Sequence, residues 1–182
     1  MKKSNLILVV FIIFIMVSSV IGFIYTPNDD NSLNQNSVNY KGFNFQLTTD
    51  NRYLLKINGN NIIFDNNPND LQSINLPNFQ ITQDKVYLIF NPEEKDDNLD
   101  YSLSKLYYIL QIKGIRGVLS CSKEENCADN LPIRDCKNEA FYFKKSNITN
   151  IYKQDKCIVL EGDNLEINKY VDKINLNLIG AL

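Results

Sequence analysis

The chain has 182 residues, with Lys+Arg 19 against Asp+Glu 21 and no histidine. The missing histidine removes Ser–His and Cys–His couples, His-containing zinc sites and the one side chain that titrates near neutrality unperturbed. At 44% hydrophobic and 11% aromatic, the sequence can bury a core and is not that of a disordered chain.

The N-terminus reads MKKSNLILVVFIIFIMVSSVIGFIYTPNDD, with Lys2 and Lys3 and then no charge until Asp29. Leu6 to Tyr25 is 20 residues, the length a helix needs to cross about 30 Å of hydrocarbon. Lysines before the span and aspartates after it place the N-terminus in the cytoplasm and the body outside. The alternative is a cleaved signal peptide with its site near Val20-Ile21-Gly22, which would make the body a secreted protein. Both readings export the remainder. Without Lys2 and Lys3 the basic count falls from 19 to 17 against 21 acidic residues, a net charge of −4, which argues against a nucleic-acid partner. Residues 26–39, TPNDDNSLNQNSVN, are polar and aperiodic and read as a tether. Residues 40–182 then form a single extracytoplasmic domain.

Strand-like runs follow at Gly42–Thr48, Arg52–Ile57 and Asn61–Asp65. Asn58-Gly59 between the last two suits a type I′ hairpin, so an antiparallel meander is expected. DNNPND, Asp65–Asp70, offers calcium-loop oxygens, but Asp70 stands where a glycine is needed and Leu76 where a glutamate is needed; it reads as a turn. A short helical turn is expected between the prolines of NPNDLQSINLP.

From Lys85 the pattern becomes β-α-β. KVYLIF (Lys85–Phe90) is an apolar run of the buried-strand type. Leu99, Leu103, Leu106, Tyr107 and Leu110 have helical spacing, with Asp97 or Asn98 as cap and Gly114 as terminator. IRGVLS (Ile115–Ser120) then returns parallel by a right-handed crossover. AFYFKK (Ala140–Lys145) and KCIVLE (Lys156–Glu161) are further strands. A last helix starts at the capping-box-like Asp163/Glu166 pair, lines up Ile167, Tyr170, Val171, Ile174 and Leu178, and closes at Gly180. The expected fold class is α/β (or α+β): a meander followed by a small β-α-β sandwich ending in a helix.

Four cysteines, Cys121, Cys127, Cys136 and Cys157, lack the C-x₂₋₄-C spacing of structural zinc and the C-x-x-C of redox sites. In an exported chain an even count reads as two disulfides. Three pairings exist, of which Cys121–Cys127 and Cys136–Cys157 are favoured; buried thiols or a metal site are the alternatives. No phosphate loop, nucleophile elbow or cofactor motif is present in the sequence, and no cofactor is expected. After Phe90, Glu93, Glu94, Asp96, Asp97 and Asp100 follow a strand and open a helix, a place where α/β sheets bind ligands. They are oxygen donors for Mg²⁺ or Ca²⁺ or, in the bland reading, a solvated helix start. Asn147-Ile148-Thr149 is an N-glycosylation sequon in a polar link. Tyr107-Tyr108 is a sticky patch or an ordinary core-and-rim pair.

FNF…YLLKINGN, KVYLIFNPEE, DC…KCIVLEGDN and the IGAL ending together resemble uncharacterised single-pass membrane proteins of archaea, over most of residues 40–182. The resemblance implies an extracytoplasmic domain with paired cysteines and carries no activity. The expected role is a membrane-anchored interaction or cell-envelope module whose partners are the bilayer, through 6–25, and other envelope or membrane proteins. The alternative is an exported enzyme, or a binder of a small ligand or cation, using the carboxylates at 93–100.

Overall fold

The computed structural model describes residues 37–181. The expected membrane span and most of the tether lie outside the described residues; among those described, no helix is long and apolar enough to cross a membrane.

The first four strands, β1 (Ser37–Tyr40), β2 (Phe43–Leu47), β3 (Tyr53–Ile57) and β4 (Asn60–Phe64), form an antiparallel sheet in that order. Two hairpins use the same two-residue backbone: Asn58-Gly59 at φ 49° and 78°, and Lys41-Gly42 at φ 47° and 86°. Both positions of a type I′ turn need positive φ, and its twist suits the flanking strands. β1 corrects the expected bounds of the tether, since Ser37–Asn39 belong to a strand. Only Val38 and Tyr40 of SVNY are apolar, so the strand is specified by its pairing with β2 (Val38 opposite Phe45) more than by its own pattern.

β5 (Lys85–Phe90), β6 (Arg116–Cys121), β7 (Ala140–Lys145), β8 (Asn150–Gln154) and β9 (Cys157–Gly162) make a second sheet in the order β6-β5-β7-β9-β8. The first four of that order run parallel, with Lys85 opposite Arg116 and Tyr87 opposite Ala140. β8 is an antiparallel edge, reached through a turn with Asp155 at φ 50°. Its sequence, NIYKQ, lies in what reads as a polar link.

Two helices complete the domain: α1 (Asp97–Ile112) and α2 (Asn164–Leu178). Asp96, not Asp97 or Asn98, caps α1 by accepting the Leu99 N–H, and Asp163 caps α2 by accepting the Glu166 N–H. The side chain one residue before the helix has the reach to accept from its third N–H. α2 closes with Gly180 at φ 85° and with Ala181 N–H donating back to Leu176, as αL-terminated helices do.

The helices lie between the sheets. Leu99, Leu103, Leu106 and Leu110 of α1, with Ile167, Val171 and Ile174 of α2, pack on Val86, Leu88, Phe90, Phe141, Phe143, Ile158 and Leu160. Ile109 and Leu176, on other faces of the same helices, join Phe45, Leu55, Ile62 and Phe64 of the meander. With cover on both sides, α2 is buried without a break from Tyr170 to Leu176. The fold is mixed α/β as expected, with the meander forming a third layer.

Candidate functional site

The acidic segment after β5 resolves into separate pairs. Glu93 meets the Lys123 ammonium. Glu94 accepts the Asn91 amide at 2.8 Å and the Lys145 N–H at 3.3 Å. Asp96 accepts from the Lys145 ammonium, Leu99 N–H and Asn164 amide, which hold its carboxyl well below the usual carboxylate range. Asp100 pairs with Lys95 at 3.1 Å, and Asp97 is exposed. Among the described residues no group of three or more His, Cys, Asp or Glu side chains is arranged to hold a metal ion. The chain leaves β5 towards β6 and returns from β6 to β7 on the other side, so a ligand crevice is expected between the carboxyl ends of β5 and β7. Here Lys145, the last residue of β7, bridges to Glu94 and Asp96 and closes it.

The cysteines pair as Cys121–Cys127 and Cys136–Cys157, with Cα atoms 6.0 and 5.0 Å apart. The first staples the SKEEN loop beside the carboxyl end of β6. The second ties the loop before β7 to the first residue of β9, under Tyr87, Ile89 and Val159. Asn147 is exposed in the link between β7 and β8.

Two further features stand out, of which the sequence reading offers only the Tyr107-Tyr108 part of the second. The first is a charged cluster between the layers. The Lys105 ammonium lies 2.6 Å from Asp65, 2.5 Å from Asp172 and 2.7 Å from the Asn168 carbonyl. Asp172 is 0% exposed; its other oxygen accepts the N–H groups of Asp65 and Asn66, each at 3.0 Å. Its bond to Lys105 is an ion pair by distance, without hydrogen-bond alignment. Burial pushes the Asp172 carboxyl up against the pull of Lys105. Burial also acts upwards on Asp65, but Lys105, Asn168 and Tyr101 together leave it below its ordinary value. The cluster joins the end of β4 to both helices and has no open side chain to offer a substrate; we read it as a polar lock.

The second is the side of the molecule where α1 faces outward. After Asp97 in its first turn, the outer stripe is Tyr101, Ser104, Tyr107, Tyr108 and Gln111, all exposed and uncharged, with Arg52 and Lys105 lining the cavity beside it. Tyr107 was expected on the buried face; it lies over Gly117 of β6, where a Cβ would stand 2.8 Å from its ring. Tyr101 and Tyr108, 39% and 40% exposed, rim a cavity of about 270 Å³ between α1 and β4. Ile62 and Ile109 line it, and so does Asn175, which is 1% exposed and whose Oδ1 has no hydrogen-bond partner among the described residues. β4 is an edge strand whose sequence, NNIIF, carries no charge. The opposite sheet ends in better protected edges: β6 is covered at its end by Pro132 and Arg134, and β8 bears Lys153.

Comparison with protein-family models, with curated proteins and with solved structures finds no match.

Proposed function

We propose that residues 37–181 are an extracytoplasmic interaction domain, held at the membrane by Leu6–Tyr25, that receives an extended segment of another exported or membrane-held protein along β4. The observation that carries the reading is the uncharged aromatic stripe of α1 beside an uncharged open strand edge. Natural proteins guard such edges with charge, proline or a covering element. Strand addition supplies main-chain hydrogen bonds, and a side-chain pocket beside the edge supplies selectivity. The cavity under Tyr101 and Tyr108 is of side-chain size. Its unpaired Asn175 oxygen, costly while buried without a donor, selects an incoming aromatic side chain that ends in an N–H or O–H. The two disulfides support export, since such bonds persist in oxidising compartments.

The test places a photo-cross-linking residue at position 63, at 108 or, as control, at the highly exposed Lys137, in cells making the full chain. A discrete adduct from 63 and 108 but not from 137, abolished by a second substitution Asn61→Lys with the melting temperature unchanged, is expected. An adduct that forms equally from 137, or that survives Asn61→Lys, overturns the reading.

A further inference from the structure

Lys173 follows Asp172 on α2 and so projects from a different face of the helix than the polar lock. It is 6% exposed, and its ammonium makes no ion pair or hydrogen bond among the described residues. Charged lysines are almost never this buried unless paired. Its stem is packed, while the residue lines a cavity of about 380 Å³ between α2, the β1–β2 hairpin and the segment that follows the short helical turn at Asp70–Ser73. The charged or polar residues of that lining are Lys41, Asn75, Asn78, Lys173 and Asn177. All are lysines or asparagines, and none is acidic, in a chain whose net charge is −2. Lys41 is held in the hairpin at φ 47°, close enough to act on Lys173 through its charge. Burial and that second cation both push the Lys173 amine below its ordinary value. Phe79, Leu76 and Ile74 supply the apolar part of the wall.

Two lysines line this one cavity; the Lys41 ammonium rests over the Tyr40 ring, 5.9 Å from its centroid, and two cations on one wall repel each other unless an anion stands between them. Amide N–H₂ groups complete the shell of donors an oxyanion needs. We propose that this cavity binds a small organic oxyanion, a carboxylate or a phosphate monoester with a short apolar group, between Lys173 and Lys41. The bound anion neutralises the buried ammonium, its remaining oxygen accepts from the asparagine amides, and its apolar end rests on Phe79. The site lies apart from β4 and does not depend on the docking reading.

The test is calorimetric titration of the full chain in detergent with butyrate and with methyl phosphate, with butanol and butylamine as uncharged and cationic controls. One or both oxyanions saturate and neither control does; which oxyanion binds more tightly identifies the head group. Lys173→Met keeps the stem that fills the packing and weakens binding by about tenfold or more, as expected for removal of a buried charged donor. Lys41→Asn, a residue that accepts positive φ, weakens it less and leaves the fold intact, so it decides the matter if Lys173→Met does not fold. The proposal is overturned if neither oxyanion saturates by tens of millimolar, or if binding survives both substitutions unchanged.

Discussion

At the scale of single residues the structure turns on Lys105. Its ammonium donates to Asp65 and Asn168 and forms an ion pair by distance with Asp172. Removing one member of a buried ion cluster strands the others, so Lys105→Met should cost about 3–5 kcal/mol; urea unfolding of the variant measures it. The two aspartates respond to pH in opposite senses. Asp65 titrates below its ordinary 3.8 in the folded chain, so the unfolded state binds the proton more tightly. Its contribution is therefore present above that value and lost as pH falls through the folded pKa. Asp172 titrates above 3.8 when folded, so the folded state holds the proton and stability declines as pH rises from about 4 through the folded pKa. Asp172→Asn, which keeps an acceptor for the Asp65 and Asn66 N–H groups, should remove that decline and leave the acid arm in place. Thermal melts from pH 3 to pH 8 decide it: an unchanged profile would show that Asp172 is not protonated more readily when folded. None of this was legible in the sequence. Asp65 reads as a turn residue, while Lys105 and Asp172 sit in helices where a charge ordinarily marks the solvent face. Only the meander, packed over the helices and bringing Asp65 and Asn66 to them, turns that face inward. Lys173 was hidden for the same reason.

Elements were more legible, and their limits have local causes. The helices follow from leucine spacing, an aspartate cap and a glycine stop, signals that act within one or two turns of chain. The β3–β4 hairpin announces itself as Asn58-Gly59, whereas the β1–β2 turn at Lys41-Gly42 does not, because a lysine takes αL only when pairing compels it. β1 and β8 were missed because edge strands need little apolar pattern of their own. Two glycines record how closely helices approach strands. A Cβ on Gly162 would stand 2.9 Å from the Glu166 Cβ at the fixed start of α2; one on Gly117 would meet the Tyr107 ring, which is free to swing outward. Gly162→Ala should therefore cost about 1–3 kcal/mol and Gly117→Ala less, measured by chemical denaturation. The reverse order would mean that Tyr107 is more firmly held than its exposure suggests. The staples differ by loop length, with separations of 6 and 21 residues. Chain entropy alone assigns about 2 kcal/mol to the first and about 3 kcal/mol to the second. Paired alanine substitutions at Cys136 and Cys157 should thus lower the unfolding midpoint more than those at Cys121 and Cys127.

The described domain should unfold as one unit, because neither sheet has a core that excludes the other's helices. Ile109 and Leu176 are buried against the meander, and Ile112 and Leu178 pack partly against it. The same two helices present Leu106 and Ile174 to the parallel sheet. Uncovering a fully buried aliphatic side chain costs about 2 kcal/mol and a half-buried one less, so exposing Ile109, Leu176, Ile112 and Leu178 removes a large share of the stability of a typical domain, about 5–15 kcal/mol. The polar lock adds to the loss, since Asp65 and Asn66 supply three N–H donors to Asp172 and one carboxylate to Lys105. Deleting Ser37–Asn66 should then leave no cooperatively folded β5–α2 remnant, although that segment contains the whole five-stranded sheet, both helices and both disulfides. In the intact chain, unfolding followed by tyrosine fluorescence and by far-ultraviolet circular dichroism should give coincident transitions. A deletion variant that melts sharply near the temperature of the full chain would show that the parallel sheet and its helices form an independent domain on which the meander merely rests. A broad, non-cooperative melt with exposed apolar surface would show that the helices belong equally to both sheets, and that the surface of α1 and β4 exists only while both are in place.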